Sequence, residues 1–338
     1  MTNLAELNVS KNEIFDISCI SQLKELENLN LDRNFVEDIS PLKNLTRLKH
    51  LNLSGNLITT YNLALPNLEE LDLSHNTLND ISGLQYSHKL TNLSLINTKI
   101  ESINYLSKLK NLIKLQLSFN PITDIKPVKY LINLQYLDLA ECYKIQSIEP
   151  LKYCIQLIFL DINQLSISDI WPLSFMKNLE VLHAVQTNVV GIHPLQYLHN
   201  LKIIYLIEAQ VIDVTPLKHL MLDELALCCN KIQDFLPIQL HKNFYCNEPI
   251  DNESDPRYAL TGQEVPTDEE LKFYNKILSV HSSQKQIREI KNENRITKFR
   301  NSLTQKKKCV SVMLNNQIMM MNKEVDILVR FIQHIQLE

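Results

Sequence analysis

The sequence contains very little glycine, and its few glycines stand far apart. Only four occur in 338 residues, at Gly55, Gly83, Gly191 and Gly262. Loops that cradle phosphate need glycines at close, fixed spacing, so nucleotide binding by such a loop is excluded. The sequence also lacks the G-x-S-x-G, H-E-x-x-H and Cys-His signatures of hydrolases. We therefore expect a protein that is not an enzyme and that uses no cofactor.

Cysteine follows no pattern that would build a site. The seven cysteines are scattered, with no Cys-x-x-Cys pair and no His/Cys cluster at zinc spacing. An odd, scattered set is typical of reduced thiols inside the cell. We expect a cytoplasmic location, with the nucleus as an alternative, and no metal site.

Long apolar runs and a strong net charge are also missing. Residues 1–6 show neither the basic nor the apolar segment of a signal peptide. No apolar run approaches the roughly 18 residues that a membrane span requires. The formal net charge of −4 provides no global field toward nucleic acid or a membrane. We expect no specific nucleic-acid binding and no transmembrane segment.

Leucine, in contrast, recurs at a regular interval. Leu26, Leu29, Leu31 and Asn34 share one frame, and the same frame returns from Leu112 onward. The pattern L-x-x-L-x-L-x-x-N with a period of about 22 residues is the signature of leucine-rich repeats. Eleven repeats begin at Leu4, Leu26, Leu48, Leu68, Leu90, Leu112, Leu134, Leu157, Leu179, Leu201 and Leu222.

Each position of the repeat has a physical role. The alternation of Leu29 and Leu31 predicts a short strand with one face inward, so stacked repeats should form a parallel concave sheet. Segments such as 39–42 suit short α or 3₁₀ turns on the convex side. The ninth position should satisfy buried backbone groups. Leu165 and Ala209 cannot do so, and we expect irregularity there. The ninth position is asparagine at Asn12, Asn34, Asn56, Asn76, Asn120 and Asn230.

The predicted fold is an α/β solenoid, a leucine-rich-repeat horseshoe with a parallel concave sheet, over residues 1–245. The first repeat begins almost at Met1 without a cap. We therefore expect either that its edge pairs with something or that part of the native N-terminus is missing. Residues 246–266 read as a linker or loose cap, and residues 267–338 as a C-terminal α-helical tail.

The tail signals are a capping box and a heptad. Thr267 and Glu270 have capping-box spacing. Apolar residues from Leu314 to Ile335 follow steps of four and three, so either self-association through 314–335 as a coiled coil or an intrachain hairpin is expected. Between Asp268 and Lys308, eleven Lys/Arg face five Asp/Glu. We interpret this excess as a solvated helix face, with nucleic acid, an anionic membrane surface or a tubulin-like acidic partner as the alternatives.

With the Ile-Ser-Pro-Leu segment at 39–42, the repeats from Leu26 onward resemble the 22-residue class shared by bacterial internalins and SDS22-like phosphatase regulators. The resemblance covers about 240 residues. Internalins carry export and wall-anchoring signals, and none is visible here. SDS22-like proteins are intracellular adaptors of a protein phosphatase. The resemblance therefore implies a protein partner, such as a phosphatase or another enzyme.

The candidate site lies on the concave face, where the third, fifth and seventh positions of each repeat should project. These positions are polar in the early repeats and apolar or aromatic in the later ones. A contiguous exposed apolar patch marks an interaction site, and aromatic side chains anchor such sites. Two alternatives stay open: the tail covers this patch, or strand propensity alone explains it. The predicted protein-binding residues are Tyr136, Phe159, Val181, His183, Val185, Ile203, Tyr205 and Ile207.

Other residues are expected to be structural. Trp171 should pack against the neighbouring convex turn. Asp138 and Asp161 should lie about 5 Å apart, but on a surface too open for acid/base work. The function that follows is a non-enzymatic protein-binding adaptor or regulatory scaffold using the concave face. The alternative is a structural or cytoskeletal assembly protein that acts mainly through the helical tail.

Overall fold

The structure, a computed structural model, describes residues 3–241 and 244–245. The unit that contains the repeats spans Met1–Cys246. The predicted linker at 246–266 and helical tail at 267–338 lie outside the described residues, as does the heptad at 314–335. Those expectations, and the predicted domain boundaries, stay predictions.

The described residues form one parallel sheet in which twelve strands follow sequence order. The first eleven coincide with the eleven repeats, and each holds three residues; the twelfth, after the last recognisable repeat, was not predicted. The strands are β1 Glu6–Asn8, β2 Asn28–Asn30, β3 His50–Asn52, β4 Glu70–Asp72, β5 Asn92–Ser94, β6 Lys114–Gln116, β7 Tyr136–Asp138, β8 Phe159–Asp161, β9 Val181–His183, β10 Ile203–Tyr205, β11 Glu224–Ala226 and β12 Phe244–Tyr245.

The opposite side of the repeat unit consists of 3₁₀ helices, ten of them within the described residues. Most carry proline in the first turn, and an aspartate two positions before the helix start accepts its first N–H, as Asp38 does from Ser40 at 2.8 Å. The helices are η1 Ser18–Gln22, η2 Ser40–Asn44, η3 Ser82–Tyr86, η4 Asn104–Lys108, η5 Lys126–Tyr130, η6 Glu149–Tyr153, η7 Trp171–Phe175, η8 His193–Tyr197, η9 Thr215–Leu217 and η10 Leu236–Ile238.

The core lies between these two sides and runs through every repeat. Leu115, Leu137 and Leu160 occupy the central position of consecutive strands, pair in register and are fully buried. Burying a leucine side chain contributes about 1.5–3 kcal/mol. A single repeat cannot enclose its own leucines, so this contribution depends on the neighbouring repeats.

The asparagine column has the predicted role. Asn56 accepts the N–H of Val36 at 3.0 Å and donates to the carbonyls of Leu31 and Leu53 at 2.9 and 3.0 Å. The irregularity expected at Leu165 and Ala209 is absent from the sheet, where β8, β9 and β10 keep their register. The reason is that the strand ladder uses backbone groups alone, while both side chains are buried as apolar contacts.

The eighth position of each repeat turns the chain out of the strand. Every described repeat has a positive φ there, between 51° at Glu208 and 65° at Gly55. Gly55 adopts this conformation without steric cost and Asn97 tolerates it, but most of the other residue types here disfavour it. The turn is therefore imposed by the packed repeats and not by local preference.

Candidate functional site

The outward side chains of the third and fifth repeat positions form one continuous surface, here called the sheet face. It runs from Glu6 and Asn8 on β1 to Glu224 and Ala226 on β11. Of the predicted binding residues, six lie on this surface. Tyr136, Phe159, Val181, His183 and Ile203 are partly exposed, and Tyr205 is only 4% exposed.

The expectation that the seventh position belongs to the exposed face is wrong for Val185 and Ile207. Val185 is 5% exposed and Ile207 is fully buried. Backbone pairing continues past the strand at this point, since the N–H of Gln186 bonds to the carbonyl of Ile207 at 2.7 Å. Neighbouring repeats therefore stay close beside this position and cover the Val185 and Ile207 side chains, whereas Asp32 and Ile96 at the same position are partly exposed. Whether any of the eight predicted residues contacts a partner stays a prediction.

Four rings make a continuous row across the sheet face, here called the aromatic row: Tyr136, Phe159, His183 and Tyr205. Tyr136 and Phe159 stack with centroids 4.3 Å apart and planes 3° from parallel. Phe159 meets His183 edge-on at 5.1 Å, and His183 stacks on Tyr205 at 4.7 Å. Rings at these separations attract one another beyond simple burial.

A lysine contacts one end of the aromatic row and a glutamate contacts the other. The Lys114 ammonium lies 4.9 Å from the Tyr136 ring centroid, and the Tyr205 hydroxyl donates to Glu224 at 2.6 Å. Burial, with smaller contributions from Asp138 and Asp161, raises the pKa of Tyr136. The row therefore presents a neutral phenol beside Lys114 at neutral pH.

Asp138 and Asp161 hold the backbone in place. Asp138 accepts the N–H of Ala140 at 3.0 Å, and Asp161 accepts that of Asn163 at 2.9 Å. Their other oxygens accept Ser118 Oγ at 2.9 Å and face His183 Nδ1 at 3.3 Å. Sequence reasoning treated them only as a possible carboxylate pair. The signal that it missed is an Asp or Asn at the fifth position of six of the eleven repeats, the mark of an Asx turn.

The same Asx turn recurs in the first half of the sheet face. The fifth-position residues Asn8, Asn30, Asn52 and Asp72 each accept the N–H two residues on, at 2.8–3.0 Å. Asn and Asp are therefore interchangeable for the fold at this position. The difference between them is one formal charge on the surface.

The first half of the sheet face is a polar groove of ≈ 680 Å³, lined by β1 to β6. Its third-position side chains bond across strands. Asn28 donates to Glu6 at 3.0 Å, and Asn92 donates to Glu70 at 2.9 Å. His50 Nδ1 lies 3.3 Å from the other Glu70 oxygen. The groove passes directly into the aromatic row at Lys114.

A second set of aromatic side chains lies on the 3₁₀ side, where the sequence analysis did not look for one. Tyr130, Tyr153, Phe175 and Tyr197 end η5, η6, η7 and η8, and each is close to half exposed. Trp171 is on the convex side as expected, but it is 54% exposed. Its ring meets the edge of Phe175 in the same helix at 6.4 Å, and its packing against the neighbouring turn stays a prediction.

The described residues contain neither a metal-binding cluster nor a helix that could span a membrane. In the stretch 3–241 with 244–245, no three His, Cys, Asp or Glu side chains form a group suited to a metal ion. In the same residues, no helix has the length and apolar character to cross a membrane.

Comparisons with known proteins agree with this architecture. The family model for leucine-rich repeats in two copies matches residues 46–86. The structure of an internalin of Listeria monocytogenes, InlF, superposes with a TM-score of 0.68 at 27% identity, over 72% of this chain and 74% of that one. The chain therefore contains leucine-rich repeats and is similar to proteins of the internalin type.

Two further structures share the repeat fold. A leucine-rich-repeat protein of Leptospira interrogans has 24% identity and a TM-score of 0.56, over 69% of this chain and 68% of its own. The plant peptide hormone receptor RGFR1, solved in complex with RGF2, has 22% identity and a TM-score of 0.53, over 67% of this chain and 44% of its own. No curated protein matches the chain.

Proposed function

We propose that this leucine-rich-repeat protein is a non-enzymatic adaptor or regulatory scaffold that holds a partner protein on its sheet face. The observation that carries the proposal is the aromatic row, in which Tyr136 and Phe159 stack in parallel and stay partly exposed. Aromatic side chains at the centre of a surface patch are the usual anchors of protein interfaces.

Two other considerations support a binding role. Contacts with neighbouring groups already orient the side chains around the aromatic row. Less side-chain conformational entropy is therefore lost when a partner binds. The plant receptor that shares the fold was solved with RGF2 bound. The proposal includes a phosphatase or another enzyme as the partner. It also includes a cytoplasmic or nuclear location. Both follow from the sequence alone.

Assembly through the helical tail is the alternative function. Its residues lie outside the described part of the chain, and no structural observation favours it. It stays a prediction, and one outcome of the following experiment would favour it.

The test is affinity capture from native extract with the full-length chain and two double variants. Tyr136→Ser/Phe159→Ser removes the start of the aromatic row. Tyr153→Ser/Phe175→Ser is the matched control, because it removes two exposed rings from the opposite side of neighbouring repeats. Thermal unfolding verifies that both variants fold.

Each outcome decides the proposal. We expect the sheet-face variant to lose a specific partner and the control to retain it. Capture that survives in both variants would contradict the sheet-face site and favour the tail. Loss only in the control would move the site to the 3₁₀ side.

A further inference from the structure

We infer that the occupant of the sheet face is an extended, lysine- or arginine-rich segment of a partner protein. Its basic side chains lie over β1 to β4 and its apolar side chains over β7 to β10. This inference rests on the proposed function, since it names the chemistry of the partner that the same surface binds.

The charge of the sheet face is the first observation. Six carboxylates occupy its third and fifth positions, four of them exposed or partly exposed and two, Asp138 and Asp161, buried. One lysine, Lys114, opposes them. The whole chain has a formal charge of only −4, so the negative charge is concentrated on this surface. A surface of one sign attracts and orients segments of the opposite sign. The six carboxylates belong to Glu6, Glu70, Asp72, Asp138, Asp161 and Glu224.

The position of the carboxylates within the groove is the second observation. Glu6 and Glu70 are exposed and Asp72 is partly exposed, all on strands that line the groove. Asn92 holds one Glu70 oxygen at 2.9 Å, and His50 Nδ1 lies 3.3 Å from the other. The N–H of Ser74 holds one Asp72 oxygen at 2.8 Å. A carboxylate has about four acceptor positions, so both groups are oriented while keeping capacity for an ammonium or guanidinium donor.

The aromatic row supplies the apolar end. The sheet face changes from polar to aromatic at Lys114, whose ammonium already lies 4.9 Å from the Tyr136 ring centroid. Beyond it, Phe159, Val181 and Ile203 occupy the third position of successive strands and are partly exposed. A second cation is disfavoured beside Lys114. The segment must therefore change from basic to apolar along its length.

Sheet geometry sets the length of this segment. Strands lie about 4.8 Å apart, so β1 and β10 are separated by roughly 43 Å. An extended chain advances about 3.3 Å per residue, which gives about thirteen residues with alternate side chains facing the sheet.

A competing occupant exists within the chain itself. Residues 268–308 carry eleven Lys/Arg against five Asp/Glu. We assign the sheet face to a separate partner, and the experiment includes a variant that detects occupation by this segment.

The experiment measures fluorescence anisotropy of a labelled thirteen-residue peptide titrated with the full-length protein. The peptide has lysine at its first, third and fifth positions, phenylalanine at the eleventh, leucine at the thirteenth and serine elsewhere. It is made in both chain directions. A second peptide carries glutamate in place of each lysine.

The sheet-face variant is Glu70→Gln/Asp72→Asn. It keeps the acceptor oxygens, and Asn52 shows that asparagine makes the same turn in the preceding repeat. Glu149→Gln/Asp169→Asn is the matched control, because it removes the same charge from the 3₁₀ side.

We expect the lysine peptide to bind at least about tenfold more tightly than the glutamate peptide, and less tightly as salt rises. Glu70→Gln/Asp72→Asn should weaken it about 5- to 20-fold, and the control variant by less than about twofold. Equal binding of both peptides, or no effect of the sheet-face variant, overturns the inference.

The remaining outcomes separate this inference from the proposed function. If neither peptide binds saturably while partner capture still depends on Tyr136 and Phe159, the cationic partner is wrong and the sheet-face function stands. If capture is also insensitive to those residues, both fail. A gain above about tenfold on changing Lys306, Lys307 and Lys308 to Gln would identify the segment 268–308 as the occupant and overturn the separate partner.

Discussion

At the scale of single residues, the stability of this solenoid depends on amides that join one repeat to the next. Asn120 accepts the N–H groups of Thr98 and Ile100 at 3.0 and 3.2 Å, and it donates to the carbonyls of Leu117 and Leu95. These backbone groups are buried in the turn after each strand, where water does not reach them. One side chain thus replaces several water contacts.

Replacing Asn56 by alanine should lower the free energy of unfolding by about 2–4 kcal/mol. The substitution leaves the Val36 N–H and the carbonyls of Leu31 and Leu53 without this partner, and each buried unsatisfied group costs roughly 1–3 kcal/mol. Urea denaturation measures the change. Asn12→Ala is the control, because Asn12 is exposed and should cost less than about 1 kcal/mol. Equal losses in both variants would show that burial of the amide does not matter.

At the scale of elements, the repeat that begins at Leu48 is the exception. No 3₁₀ helix separates β3 from β4 among the described residues, and Thr60 instead forms a parallel bridge with Asp80. The backbone of this segment lies close to η3, as the approach of Leu63 to Gly83 shows. In η3, the N–H of Gly83 donates to the Tyr61 carbonyl at 2.9 Å, and Ser87 Oγ donates to the Leu65 carbonyl at 3.1 Å.

Gly83→Ala should destabilise the fold by about 1–3 kcal/mol, as overpacking in a closed interior does. A Cβ at Gly83 would lie 2.6 Å from both the backbone N and O of Leu63. The backbone would have to move, since no flexible side chain can give way. Thermal unfolding checks the result. Gly191→Ala is the matched control, because its Cβ meets nothing within 4 Å. A Gly83 variant as stable as the Gly191 variant would rule out this close approach.

At the scale of the whole repeat unit, one core connects all repeats and encloses two thiols near its middle. Cys142 and Cys154 are buried, and burial raises the pKa of each thiol to about 12. The reactive thiolate is then on the order of one part in ten thousand at pH 8. Cys19, in contrast, is exposed.

Native alkylation with iodoacetamide at mildly alkaline pH should label Cys19 and leave Cys142 and Cys154 unlabelled. Urea should expose both buried thiols over the same concentration range, because neighbouring repeats lose their shared core together. Peptide mass spectrometry after timed labelling measures each site separately. Labelling of Cys142 at the rate of Cys19 without urea would contradict the continuous core.

The features that were predicted correctly depend on side-chain type, and those that were missed depend on contacts between neighbouring repeats. The strands, their parallel order and the Asn56 column follow from side-chain type at a fixed period, so they were predicted correctly. The burial of Val185 and Ile207 was missed, because it depends on backbone pairing with the neighbouring repeat beside them. The partial exposure of Tyr136 and Phe159 was predicted, while their parallel stacking was not.

The sequence by itself determined the repeat, the leucine core and the change from polar to aromatic side chains along the sheet. Each of these features depends on residue types that recur about every 22 residues, and such a period is visible without coordinates. Only the tertiary structure decided which side chains remain on the surface and which neighbours orient them. It buried Val185 and Ile207, exposed Trp171 and brought Ser118 and His183 against the carboxylates of Asp138 and Asp161. The physical reason is that exposure and hydrogen bonding depend on the adjacent repeat, about 22 residues away, and not on the local sequence.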